Sequence, residues 1–428
     1  MERSDTEAGG RHAWDWEKGK RTVLPNTDAK NSWLWQEEPC VSPDGEQLAA
    51  IIRREDESFS LRVNDEEWEE SFEKAWLPGF APDGRLTALV MQDDEWTLAV
   101  DGEAWEERFA FIWGTMFGTG GQICAAIQQD MRYGLCVDGV PWDTLYENAN
   151  QFCLSRDGKQ SAAVTQVKSL KQADLEGFRS GIYTVAVDSE AWDASFVNVW
   201  TPVFDRSNGE RVAAQVRLNA YEYSIVVNGE PWPVTYNCVW APTFNPVTGA
   251  IAAPVRAGGR WGMAVDAAYA WQPAYYQCWD QQWSQDGKHL WAVVAPEYGK
   301  FTVACDDKPW NATFPVVSEL TLAPSGERAA ALTCHINDNY RVVVDGKAWQ
   351  GPWDMAWKPV FSDDSQHVAA LVRSKDGSMT YLVDDKLVGE SFSRAWAPQF
   401  SPDGTSVLLR GIQNKSLVRI VQKLTDIV

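Results

Sequence analysis

The chain has 428 residues, 60 acidic against 38 basic side chains, a net charge of −22 and 24 tryptophans. A surface this negative repels phosphate backbones and anionic lipid headgroups, which disfavours nucleic acid and acidic membranes as partners. The apolar runs are strand-sized, short of the roughly 18 residues that suggest a membrane helix. Residues 1–20 have no apolar core of signal-peptide type, so a cytoplasmic protein is expected.

Residues 1–34 precede a repeat that fills 35–428. Trp35 opens it, and Ser42 to Gly45 (Ser-Pro-Asp-Gly) is its first turn, followed by an apolar strand from Gln47 to Ile52. Tryptophan pairs eight residues apart then recur: Trp68 and Trp76, Trp105 and Trp113, Trp192 and Trp200, Trp232 and Trp240, Trp271 and Trp279, Trp349 and Trp357. With Trp35, Trp142, Trp310 and Trp396, the two slots hold 16 of the 24 tryptophans, which assigns most of them to packing within a repeat. An Asp or Asn stands four residues before the first Trp in most units, as at Asp101, Asp138, Asp188, Asn228, Asp306 and Asp345. In four units Gly follows it, a strong hairpin signal.

A second turn follows the second Trp, and ten such turns, from Gly45 to Gly404, are separated by 39, 37, 37, 51, 40, 38, 39, 39 and 39 residues. After each turn comes a small apolar strand, such as Arg211 to Val216 or His367 to Val372. Next comes a β-branched strand, such as Tyr223 to Val227 or Tyr340 to Val344. The Trp-to-Trp segment reads as a third strand and Trp-x-Pro-x-Phe as a fourth. Four strands in about 40 residues predict an all-β chain, a β-propeller of about ten four-stranded blades, closing as one large ring or as two smaller ones.

Three segments stand out. Between Arg54 and Glu107 lie 17 acids and 4 bases, densest at Glu66, Glu67, Glu69, Glu70 and Glu73; this is either a solvated rim or a patch for a basic partner. The step of 51 places an insertion near 168–180 with Leu170, Leu175 and Phe178, either a docking loop or a tolerated insertion. The last unit has strands at Ser406 to Ile412 and Ser416 to Val421 but no Trp-to-Trp strand. Trp14 to Leu24 would close the ring there, or else Trp14 and Trp16 sit on a tail that inserts into a partner. Outside the two slots lie Trp14, Trp16, Trp33, Trp96, Trp261, Trp283, Trp291 and Trp353; any exposed ones are candidate partner contacts.

Catalytic signatures are absent: no Gly-x-Ser-x-Gly elbow, no Walker loop and no dinucleotide fingerprint. The turn acids serve backbone geometry. Eight dispersed cysteines without a Cys-x-x-Cys pair, several in strand slots filled elsewhere by Ala or Val, read as buried free thiols. His12, His289, His335 and His367 are dispersed too, so no catalytic residue and no iron-sulfur, haem or zinc site is expected.

The Ser-Pro-Asp-Gly turns resemble WD40-like repeats of the TolB type. An acidic chain of Asp-Gly-x-x-Trp and Trp-x-Pro-x-Phe repeats, from about Trp14 to Val428, also resembles the tryptophan-rich D subunit of the Tmc transmembrane electron-transfer complex of sulfate-reducing bacteria. That resemblance implies a cofactor-free accessory subunit on the inner face of the cytoplasmic membrane. It would dock on an iron-sulfur subunit of heterodisulfide-reductase type, and through it reach a membrane cytochrome b and a periplasmic multihaem cytochrome c. A non-catalytic scaffold is therefore the expected function. The alternative is a free-standing propeller that binds a small molecule or peptide in its channel, with or without hydrolase activity.

Overall fold

Asp101 shows how one repeat is built. The strand Glu95–Val100 must reverse at once to return as Glu103–Ala104. A two-residue reversal that follows the twist of the strands needs positive φ at both central residues. Asp101 and Gly102 supply φ of 50° and 96°. Aspartate tolerates this region because its side chain bonds to nearby backbone. Its Oδ1 accepts the Leu86 N–H at 2.8 Å, and its own N–H donates to the Leu86 carbonyl at 2.8 Å.

The same two-way bond joins Asn64 to Leu48, Asp138 to Ile123, Asp188 to Ser161 and Asn228 to Val212. It also joins Asp266 to Ile251, Asp306 to Leu290, Asp345 to Ala329 and Asp384 to Val368. In four of the five turns without glycine at the second position, Ser189, Ala267, Asp307 and Asp385 hold φ of 80°, 69°, 64° and 65°; Asp65 in the fifth does not take positive φ.

The computed structural model describes residues 10–28, 33–169, 174–206, 210–335 and 339–427. The fold is all-β, with ten four-stranded antiparallel β-propeller blades. In chain order they span 33–67, 74–104, 111–141, 149–191, 198–231, 238–275, 277–309, 317–348, 355–392 and 394–423, the last completed by 19–24. The chain divides into two compact units, Met1–Ile112 with Arg328–Val428, and Trp113–Glu327.

Trp-x-Pro-x-Phe opens a blade instead of ending the one before: Lys74–Phe80 pairs with Leu86–Gln92, which follows it. The second strands are the buried centre. Leu86–Val90, Ile123–Ile127 and Val368–Val372 are buried at every position, so they read as apolar runs, broken only by Thr87, and not as alternating strands.

The Trp-to-Trp segment departs from the expected full strand. In seven blades it keeps two strand residues, pairs once more at the first Trp, bulges out, and rejoins the third strand at an isolated bridge. All seven bridges join two aromatics, among them Phe59 with Phe72, Trp96 with Phe109 and Tyr223 with Tyr236. In five of the seven, a hydroxyl residue follows the bridging aromatic of the third strand and serves the bulge. The buried Thr97 hydroxyl lies 3.3 Å from the Trp105 carbonyl and 2.8 Å from that of Glu107, so it satisfies carbonyls that the bulge frees. Ser60 does the same for Trp68 and Glu70, and Ser224 for Trp232 and Val234. Where that residue is Gly262, a Cβ would lie 2.5 Å from the Trp271 carbonyl. The backbones there approach directly, and Ala268–Tyr275 is a continuous strand.

These contacts explain the tryptophan slots. First-slot Trp68, Trp142, Trp271 and Trp349 are buried. Second-slot residues lie against the third-strand aromatic of their own blade: Trp76 on Trp96 at 4.4 Å, Trp240 on Trp261 at 5.1 Å and Trp279 on Phe301 at 5.3 Å between ring centroids.

In the last blade, Gly19–Leu24 runs antiparallel to Ser416–Lys423, with Gly19 opposite Val421 and Leu24 opposite Leu417. Buried arginines tie this blade to its neighbours. Arg410 donates to the carbonyls of Ser42 (2.7 Å), Ala397 (2.9 Å) and Pro43, and Arg419 to that of Asp44 (2.8 Å) while pairing with Glu46 (3.0 Å). Arg11 donates to the Phe400 carbonyl at 2.9 Å and pairs with Asp363 at 3.1 Å.

Removing residues 1–24 takes away the buried Leu24 and leaves the edge of Ser416–Lys423 unpaired. A fall in Tm of roughly 5–15 °C is expected, read by thermal circular dichroism; an unchanged Tm would show that this strand contributes nothing.

Candidate functional site

The acidic segment is built by hairpin tips and bulges of the blades 33–67 and 74–104. Glu55, Asp56 and Glu57 lie in or beside one tip, Asp93 and Asp94 in another, and Glu66, Glu69 and Glu70 on and beside a two-residue edge strand. Several of these charges are already committed. Glu67 accepts the Trp33 indole N–H at 2.6 Å and pairs with Arg54 at 3.2 Å. Glu73 accepts the Asp93 N–H at 3.0 Å, and Asp93 itself pairs with Arg108. Glu66, Glu69 and Glu70 are exposed and, among the described residues, have no cation within ion-pairing distance. The Asp56 carboxyl is held below its usual range by hydrogen bonds from the Ser58 hydroxyl and N–H, so it stays charged.

The insertion folds into one helical turn, α1 (Leu175–Arg179), with Asp174 capping it by accepting the Gly177 N–H at 2.8 Å. Leu175 is 67% and Phe178 41% exposed, so both present apolar surface; Leu170 lies outside the described residues.

The tryptophans outside the slots do not form an exposed set. Trp33, Trp96, Trp261 and Trp291 are core residues; Trp96 holds the aromatic bridge position of its blade and Trp261 the matching third-strand position of another. Trp14, Trp16, Trp283 and Trp353 are half-buried. Trp14 stacks on Trp16 at 5.9 Å, and the Trp16 indole N–H donates to the Arg11 carbonyl at 2.8 Å, which packs this pair against a docked arm. The more exposed indoles are inside a slot: Trp76 at 51% and Trp240 at 40%.

One cluster escaped the sequence reading. His289, Cys305 and Asp306 bring their ligand atoms within 4.8 Å of one another, with His289 Nδ1 2.7 Å from Asp306 Oδ2. Sixteen residues separate the first two, and only strand pairing joins them. Cys124, Cys136 and Cys278 are buried thiols, but Cys305 is half-exposed.

The sequence matches no family model, and no curated protein matches it. Solved structures similar to it include a eukaryotic initiation factor, at 12% identity over 86% of this chain and 90% of that one, with a TM-score of 0.46. Another is the β-propeller domain of the Trilobed protease from Pyrococcus furiosus, at 9% identity over 65% and 94%, TM-score 0.32. A third is TolB from Acinetobacter baumannii, at 12% identity over 73% and 78%, TM-score 0.30. These are likenesses of fold and carry nothing about ligand or activity.

Because Leu175 and Phe178 make little buried contact, replacing both with alanine is expected to change stability by no more than about 0.5 kcal/mol, measured by urea unfolding. A clear loss would mean that α1 is part of the packed structure and not a free surface.

Proposed function

We propose that this protein is a non-catalytic docking scaffold that binds a basic surface of a partner through the acidic edge at Glu66, Glu69 and Glu70. The observation that carries this reading is that these three carboxylates are exposed and, among the described residues, without an ion pair on a blade fixed by internal hydrogen bonds, while Glu67 and Asp93 of the same segment pair with Arg54 and Arg108. A fixed array of unpaired charge costs little to bring to a complementary surface, because the scaffold is already ordered. Leu175 and Phe178 offer a separate apolar contact.

The resemblance noted from the repeats suggests the partner: an iron-sulfur subunit of heterodisulfide-reductase type, in a membrane-associated electron-transfer complex. In that setting the scaffold would hold the iron-sulfur subunit in place without carrying electrons. Tryptophan oxidation lies far above the range of iron-sulfur potentials.

Purification in mild detergent followed by mass spectrometry tests the partner. An iron-sulfur protein that co-elutes at low salt and is released as ionic strength rises fits the proposal. The triple variant Glu66→Gln, Glu69→Gln, Glu70→Gln should weaken that association by about tenfold or more at unchanged Tm. Undiminished binding would contradict it, and a clean monomer that retains a sugar or peptide would favour a ligand-binding propeller.

A further inference from the structure

The nine Asp or Asn hairpin turns offer an internal comparison. The residue just before the turn is Val63, Val100, Val137, Val187, Val227, Val265, Val344 or Val383 in eight of them, and Cys305 in the ninth. That slot ends the third strand, where the side chain stands beside the turn carboxylate and the start of the second strand. Two turns also have a histidine at the residue that precedes the second strand, and each imidazole meets its turn carboxylate: His289 with Asp306 at 2.7 Å and His367 with Asp384 at 2.6 Å. The thiol therefore replaces valine at one of the two places where a His-Asp pair already exists.

From this coincidence we propose that His289, Cys305 and Asp306 form a binding site for a borderline-soft divalent transition metal of the zinc class. A thiolate, an imidazole and a carboxylate form a donor set suited to such an ion, and three protein ligands leave a position open for water or an outside ligand. The backbone holds the donors in place. Asp306 is fixed at φ 46° with Oδ1 accepting the Leu290 N–H at 2.9 Å, which leaves Oδ2 for His289. The His289 N–H donates to Ser284 Oγ at 2.9 Å, and Cys305 lies opposite Trp291 and Lys308 in the sheet.

The thiol is protonated when no ion is bound, since burial and the Asp306 carboxylate push it up to about 12. Binding of the ion forms the sulfur-metal bond and releases that proton to solvent. A proton on His289 Nδ1 moves to Nε2 through solvent, so that Nδ1 can donate its lone pair. With the ion in place, the start of the second strand is linked to the end of the third.

Cobalt(II) titration of the purified chain, stripped of metal and kept reduced, tests this through the thiolate-to-cobalt charge-transfer absorption, with zinc competing it away. One equivalent is expected to give the band and raise Tm. Cys305→Val installs the residue that the other eight turns carry, so it should fold with unchanged circular dichroism yet lose the band. His289→Gln keeps the thiol and should weaken binding by more than the roughly 10–100-fold lost when a ligand's hydrogen-bond partner is removed. No band in the native chain, or a band that persists in Cys305→Val, would overturn the proposal.

Discussion

The structure depends on one repeated interaction: the side-chain oxygen of a turn Asp or Asn accepts the first N–H of the second strand, while the turn N–H donates to the same residue's carbonyl. A left-handed residue at this position carries a backbone cost for anything but Gly, Asn or Asp. The side-chain bond offsets that cost and sets where the central strand begins. A hydrogen bond to a carboxylate contributes roughly 1.5–3 kcal/mol. The same small device, repeated nine times, therefore fixes the register of nearly every blade.

With register fixed, the aromatic packing follows. The third strand alternates so that one face carries an aromatic and the next position a hydroxyl or glycine, as in Phe59-Ser60, Trp96-Thr97, Tyr223-Ser224 and Trp261-Gly262. The aromatic receives both the second-slot Trp and the returning bridge residue, while the hydroxyl satisfies the bulge. Most tryptophans are thereby consumed by packing, which leaves function to charge, to α1 and to departures from the repeat. Cys305 is the sharpest departure, since it breaks a valine slot beside a His-Asp pair.

Much of this was legible in the sequence because it repeats. Asp-Gly spacing located the hairpins, and the missing strand after Ser416 to Val421 pointed to the N-terminal segment that now pairs there. Less legible is the Trp-to-Trp segment, which reads as a strand because its Trp and aromatic ends both pair; the carbonyls freed by the bulge between them are met by side chains of another strand, such as Thr97 and Ser60. The unit boundary was offset for a similar reason: Trp-x-Pro-x-Phe pairs forward in sequence, and composition does not reveal direction. Lying outside the slots does not make a tryptophan exposed: Trp96 and Trp261 hold the third-strand aromatic position and are buried. His289 and Cys305 were read as isolated residues, because only pairing of the second and third strands brings them together.

The central claim is that the turn side chain sets the start of each blade's buried strand, and native-state hydrogen exchange tests it at Ile123, the residue held by Asp138. With Asp138→Ala, the amides of Ile123 to Ile127 should lose protection by about 1–3 kcal/mol relative to the native chain, whereas Asp138→Asn should keep most of it. Equal protection of these amides in the alanine variant and the native chain would contradict the account.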